Sequence, residues 1–236
     1  MPAATHNAAG QGAGPVIQLE DVYKTFELGG QSTEVLKGID LAVNQGEFVA
    51  LQGPSGSGKS TLLHILGLLD RTSAGRYLLS GEDVADMDDD ARSHLRNMHF
   101  GFVFQNFHLI PYATALENVV LPGMYGPESR REVTRRAERL LDQVGLADRS
   151  GYRPGQLSGG QQQRVAMARA LVNQPKVVFA DEPTGQLDSA TSKEIMDLFA
   201  AINDTGTTMV MVTHDADTAG FAGRVVNLLD GRIAHD

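Results

Sequence analysis

Along this chain apolar residues fall into short runs bounded by turn residues, and two periodicities take turns. Ile17, Gln18, Leu19 and Glu20 alternate apolar and polar as a half-buried strand does, and a second strand is expected over Val35 to Val43. Gly29-Gly30 fall in the loop between them, with Phe26 just ahead of it. Asn44-Gln45-Gly46-Glu47 turns the chain into the apolar run Phe48-Val49-Ala50-Leu51, and Leu62 to Leu69 follows with helical character. Tyr77-Leu78-Leu79 reads as a short strand, and Phe100 to Phe104 as a buried one ending at Gln105. Farther on, Val133, Ala137, Leu140, Leu141 and Val144 share one face of an amphipathic helix. Val177-Val178-Phe179-Ala180, ending in Asp181-Glu182, and Thr207 to Thr213, ending at His214, are two more apolar strands. Val225 to Leu229 and Arg232 to Ala234 flank Asp230-Gly231, a favoured two-residue hairpin turn.

Apolar strands buried on both faces and alternating with helices imply an α/β fold with a mainly parallel sheet. The stretch from Asn106 to Asn173 interrupts that alternation with helix-rich sequence. It is expected to be an inserted helical lobe (106–173), leaving 16–105 and 174–236 to the sheet core. Met1 to Pro15, all small or polar without periodicity, reads as a flexible tail. A length of 236 residues suits one core carrying such an insertion.

Composition narrows the classes of function. A net charge of −9 argues against a surface built to attract DNA phosphates or anionic lipid. The arginines of the amphipathic helix (130, 131, 135, 136 and 139) are interrupted by Glu132 and Glu138. Glu132 is placed to pair with Arg136 one turn on, so this side reads as a solvated face. The absence of cysteine excludes a disulfide framework and fits a reducing compartment. No apolar run approaches the ~18 residues that span a bilayer, and no signal peptide is evident. The expectation is a cytoplasmic protein that depends on another chain for any work at a membrane. Glu82, Asp83, Asp86, Asp88, Asp89 and Asp90 lack the spacing of a calcium loop and read as a solvated acidic loop.

The stretch Gly53-Pro54-Ser55-Gly56-Ser57-Gly58-Lys59-Ser60-Thr61 carries the chemistry. Its glycines let successive N–H groups face an anion, and the helix that follows adds the positive end of its dipole. Lys59 would reach the β- and γ-phosphates, and the Ser60 hydroxyl would ligate Mg²⁺. Asp181 and Glu182 end a strand, where open α/β sheets place their ligands; one carboxylate holds Mg²⁺ while the next polarises the attacking water. Leu157-Ser158-Gly159-Gly160-Gln161 is a second glycine-containing helix start, with Ser158 as its N-cap. Such a start would complete a γ-phosphate cage, within one molecule or between two.

In this order, these elements resemble the ATP-binding subunits of ABC transporters over Val16 to Asp236. Gly53 to Thr61 is similar to the Walker A motif, Gln105 to the Q-loop, Leu157 to Gln161 to the signature and Val177 to Glu182 to Walker B. Asp188 matches the D-loop and His214 the switch histidine. The wording Gly101-Phe102-Val103-Phe104-Gln105, Leu116-Glu117-Asn118-Val119 and Ala180-Asp181-Glu182-Pro183-Thr184-Gly185 looks like the lipoprotein-releasing and macrolide-efflux subgroup. The resemblance implies a RecA-like core with an N-terminal antiparallel β subdomain. It implies ATP and Mg²⁺ as cofactors, with Phe26 stacked on adenine. Ser60, Gln105 and Asp181 would serve the metal, and Glu182 would act as general base. Lys59, Gln105 and His214 would share the catalytic site. Ser158, Gly159, Gly160, Gln161 and Asp188 would close the site of a second copy in a head-to-tail dimer. An integral membrane permease is the other implied partner, reached from the inner face of the membrane near Gln105 and the segment Phe107 to Tyr112. That segment reads equally as core packing. Two departures stand out: Phe26 where tyrosine is frequent, and Gln186 where this subgroup usually has asparagine. A signalling switch without transport, and a soluble ABC ATPase acting on nucleic acid, are the alternative classes.

Overall fold

The computed structural model describes residues 14–236, so the expected tail lies outside it up to residue 13. Two sheets organise the chain. β1 (Ile17–Leu28) and β2 (Gln31–Val43) form a hairpin closed by Gly29 and Gly30, both at positive φ. β4 (Ala74–Leu79) and β5 (Glu82–Asp83) extend it into an antiparallel sheet ordered β2-β1-β4-β5. β1 runs well past the alternation that announces it. Its register shifts between Leu19 and Val22, and Asp21 takes φ 47°, so buried positions break step there and hide the strand's second half.

The second sheet holds β3 (Phe48–Gln52), β6 (Phe100–Phe104), β7 (Val177–Asp181), β8 (Thr208–Val212), β9 (Arg224–Leu229) and β10 (Arg232–His235). Its order is β10-β9-β3-β8-β7-β6, parallel throughout except for β10, which returns antiparallel through the Asp230-Gly231 turn. This agrees with the mainly parallel sheet expected from uniformly apolar strands.

Among the described residues seven α-helices connect the strands: α1 (Lys59–Leu66), α2 (Asp89–His99), α3 (Ala115–Val120), α4 (Arg130–Gln143), α5 (Gly159–Leu171), α6 (Ser189–Asn203) and α7 (Ala216–Ala219). Between β6 and β7 the chain forms helices and loops and no strand. One apolar cluster packs α1 and the antiparallel sheet on one face of the parallel sheet, and a second packs α5 and α6 on the other. A third joins α3, α4 and α5. α5 thus serves two cores, with Met167 and Ala170 toward the sheet and Val165, Ala168 and Val172 toward α3 and α4. The approach to β6 is close: a Cβ on Gly101 would lie 2.3 Å from the Ala170 carbonyl oxygen.

Two local expectations are corrected. The acidic stretch is a loop only in part. Glu82–Asp83 pairs with β4, while Asp88 caps α2 and Asp89 and Asp90 occupy its first turn, where carboxylates favour the helix dipole. Among the described residues no group of acids and histidines is disposed to hold a metal. Nor does Glu132 pair with Arg136. It closes a capping box with Ser129, whereas Arg136 turns to Glu128 at 2.6 Å and to the Val172 carbonyl. Satisfying the free amides of a helix start outweighs an exposed pair one turn apart, which contributes only about 0.2–0.5 kcal/mol.

Candidate functional site

β3 delivers the chain into a loop that only glycine can follow at three points, with φ of 155° at Gly53, 82° at Gly56 and 103° at Gly58. A Cβ on Gly53 would sit 2.2 Å from the Leu228 carbonyl oxygen, so β9 presses directly on the loop. Gly58 opens α1 without a side-chain cap, whereas the other six α-helices are capped by Asp88, Thr114, Ser129, Ser158, Asp188 and Asp215. The first-turn amides of α1 therefore keep their donors for an anion. Lys59 is buried, and its Nζ donates to the Gly53 and Pro54 carbonyls at 2.8 and 2.9 Å, which uses two of its three protons. Ser60 is exposed at the helix start, Thr61 is half-buried, and the buried Ser57 Oγ has no hydrogen-bond partner.

β7 brings the carboxylates. Burial pushes the Asp181 carboxyl up from its ordinary value; the Glu182 charge adds to this, while His64 and Lys59 oppose it. A divalent cation would reverse that burden, so the position suits a hard metal held by oxygen. Glu182 sits just past the strand at φ 46°, a region that costs a non-glycine residue roughly 1–2 kcal/mol. Its amide donates to the Val212 carbonyl at 2.9 Å, and its own carbonyl accepts from Gly185 at 3.1 Å. Glu182 Oε1 lies 2.8 Å from His214 Nδ1. That hydrogen bond, and then the carboxylate charge, raise the His214 imidazole above its ordinary value.

These segments meet. An open cavity of about 520 Å³ is lined by Gln52, Gly53, Pro54, Ser55, Lys59, Glu182, His214 and Asn227. One wall offers an ammonium and a glycine loop, the other a carboxylate–imidazole pair. This arrangement can bind a polyphosphate and take a proton from a water beside it.

Other expected site residues lie outside that lining. Gln105 is exposed and lies against Gly185, where a Cβ would come 2.7 Å from its Nε2. Phe26, near the end of β1, keeps 43% of its surface exposed. Ser158 and Gln161 close a capping box on each other at the start of α5. Gly159 lies near Leu187, and Gly160 is pressed against Thr191 of α6. Asp188 accepts from the Thr191 hydroxyl at 2.7 Å and its amide at 3.0 Å; these bonds hold its carboxyl below the usual range. Gln186 donates to Asn106 Oδ1 at 2.5 Å.

Sequence reasoning passed over Gln52 and Asn227, which carry no motif, and Gln163. Gln163 is fully buried on α5, and its Nε2 donates to the Pro183 carbonyl, the residue after Glu182, at 2.5 Å. A polar residue among Gly160, Val165 and Met167 on a buried helical face was the available signal.

The family model described as ABC transporter matches residues 36–185. The ABC transporter ATP-binding protein YknY of Bacillus subtilis is 50% identical over 218 residues, covering 92% of this chain and 95% of the relative. The macrolide export ATP-binding/permease protein MacB of Escherichia coli is 48% identical over 222 residues, 94% of this chain. The chain spans only 34% of that longer exporter. Among solved structures, the dimeric bacterial ABC transporter cassette MJ0796 superposes with a TM-score of 0.84 at 45% identity, covering 93% of this chain and 97% of the cassette. A post-hydrolysis dimer of that cassette, bound to ADP and Pi, gives the same score at 44% identity, with coverage again 93% and 97%. Matches of this depth, running through the phosphate loop and the strand that carries Asp181, place the chain in the ABC transporter family as one of its ATP-hydrolysing cassettes.

Proposed function

We propose that this chain is the ATPase subunit of an export-type ABC transporter for a lipoprotein, drug or peptide, working as a head-to-tail dimer with two ATPs at its interface. The observation that carries the reading is the division of the expected ATP contacts. Gly53, Pro54, Ser55 and Lys59 line the cavity with Glu182 and His214, whereas Ser158 to Gln161, at the start of α5, do not. Contacts from that helix start to the γ-phosphate then come from a second copy. The dimeric arrangement of the cassette MJ0796, similar over nearly its whole length, supports this.

Within the site, the phosphate loop and Lys59 bind and orient the triphosphate, and Phe26 carries the adenine. Ser60, Gln105 and Asp181 would hold Mg²⁺, which when bound neutralises charge on the β- and γ-oxygens. Glu182 accepts a proton from the attacking water, and His214 holds the Glu182 carboxylate through Nδ1. Ser158 and Gly160 of the second copy meet the γ-phosphate, and Asp188 lies close to that junction. Binding ATP thereby closes the dimer, and hydrolysis releases it.

The motion passes to an integral membrane permease, and the cassette works as a peripheral protein on the cytoplasmic face. No helix among the described residues is long and apolar enough to cross a membrane. A mostly apolar cavity of about 630 Å³ between β6, α2 and α5, lined by Phe102, Phe104, His108, Tyr125 and Arg169 among others, offers a seat for a permease segment.

The shared site is tested by mixing two inactive chains, Ser158→Arg and Lys59→Ala. A mixed dimer contains one intact composite site, so part of the hydrolysis is expected to return. If none returns although mixed dimers form, completion by a second copy is refuted.

A further inference from the structure

Behind the Phe26 ring lies a buried cation that none of the expected ATP contacts includes. Lys24, two residues earlier on β1, is only 8% exposed, and its Nζ sits 4.7 Å from the ring centroid. The ammonium is fixed from below: it donates to Asp70 Oδ1 at 2.6 Å and to the Arg71 carbonyl at 2.8 Å, both just beyond α1. Asp70 is itself held by the Arg71 amide at 2.7 Å. Phe26, by contrast, keeps 43% of its surface exposed. With the cation over one face, the opposite face is the side from which a base can approach.

The physical consequence is directional. A desolvated ammonium over an aromatic face is attracted by the ring quadrupole and draws electron density toward itself. The opposite face becomes less negative and therefore stacks better on an electron-rich purine. A ring held at its rear also loses less rotamer freedom when a base covers its front. Phenylalanine has no hydroxyl with which to anchor itself, so the Lys24 contact behind the ring is a support it can use.

The geometry points to Lys24 as a positioning residue for the nucleobase: anchored by Asp70 and Arg71, it polarises and holds the Phe26 ring so that its free face accepts adenine. This rests on the reading of Phe26 as the base platform. Lys24 itself does not touch the nucleotide. It also ties base recognition to the far end of the helix whose start holds the phosphates, because the Asp70 amide donates to the His64 carbonyl in the last turn of α1 at 3.1 Å.

The test compares Mg-ATP with inorganic triphosphate, which has the phosphates and no base. Binding of both is measured by calorimetry on the full chain. Lys24→Gln keeps a donor for Asp70 and removes the charge. It is expected to weaken ATP about three- to tenfold while leaving triphosphate affinity unchanged, and Lys24→Arg is expected to restore ATP affinity. On a Phe26→Ala background, Lys24→Gln is expected to have no further effect, because its influence passes through the ring. A loss shared equally by ATP and triphosphate, or one that adds fully to that of Phe26→Ala, overturns the inference. If Phe26→Ala already leaves the ratio of ATP to triphosphate affinity unchanged, the platform reading fails and this inference with it. Should Lys24→Gln not fold, Lys24→Met and Asp70→Asn give the same comparison; preserved discrimination in both sinks the idea.

Discussion

Glu182→Gln separates geometry from proton transfer in this site. The glutamine oxygen can still accept from His214 Nδ1, which lies 2.8 Å from Glu182 Oε1. The turn at φ 46° remains fixed by the Val212 carbonyl and the Gly185 amide. The ground state should therefore change little. What disappears is a base able to take a proton from water. A positioned general base contributes about 10²–10⁴ in rate, which at ~1.36 kcal/mol per tenfold is about 2.7–5.4 kcal/mol of barrier. Steady-state phosphate release is expected to fall by that factor while ATP binding persists, and dimers are expected to accumulate in ATP by light scattering. A second readout comes from His214. Its raised pKa means that the Glu182–His214 pair stabilises the fold fully below the ordinary histidine value, about 6.5, and loses that contribution as pH rises through the raised value. In Glu182→Gln the imidazole titration, followed by NMR, should return toward the ordinary value. Turnover within about threefold of wild type would remove Glu182 as the base, whatever His214 does.

Three further outcomes follow from contacts described above. Lys59→Ala is expected to abolish detectable ATP binding in calorimetry, and retained affinity would overturn the phosphate-cradle reading. Gln163→Leu leaves the Pro183 carbonyl without its donor. It should destabilise the fold by about 1–3 kcal/mol in urea titration and slow turnover with little change in ATP affinity. Unchanged turnover would show that Gln163 serves packing alone. Gly101→Ala drives a Cβ to within 2.3 Å of the Ala170 carbonyl, and overpacking of this kind costs about 1–3 kcal/mol. A melting temperature equal to wild type would mean that α5 can withdraw from β6 without penalty.

How much of this was legible in the sequence depends on whether information lay along the chain or across it. β3, β6, β7 and β8 were visible because strands covered on both faces must be apolar almost throughout. α2 was not, since Arg92 is its only buried residue and its sparse apolar stripe, Ala91, Leu95 and Met98, is outnumbered by polar residues. β1 was half visible, because its bulge shifts the alternation by one step. Within the site, Gly53 to Thr61 is a linear feature whose backbone demands fall on consecutive residues, and so it could be read directly. Partner choice could not. Nothing in the sequence says that Arg136 prefers Glu128 to Glu132, that Gln163 reaches Pro183 or that Lys24 lies behind Phe26. Each is decided by which free donor the fold leaves nearest.

The phosphate loop also has a place in the order of assembly. Its strand, β3, lies between β8 and β9, both of which come late in the chain. The turn before β3 donates from Gly46 to the Thr208 hydroxyl across 162 residues of sequence. The loop itself takes a hydrogen bond from Gly231, in the β9–β10 turn, at the Ser57 carbonyl, and Leu228 presses on Gly53. Such long-range closure is entropically slow and comes late in folding. During synthesis on a ribosome, Gly53 to Thr61 emerge well before the strands and the Gly231 turn that brace them, so the native contacts of the loop are completed only once β8, β9 and that turn have been made.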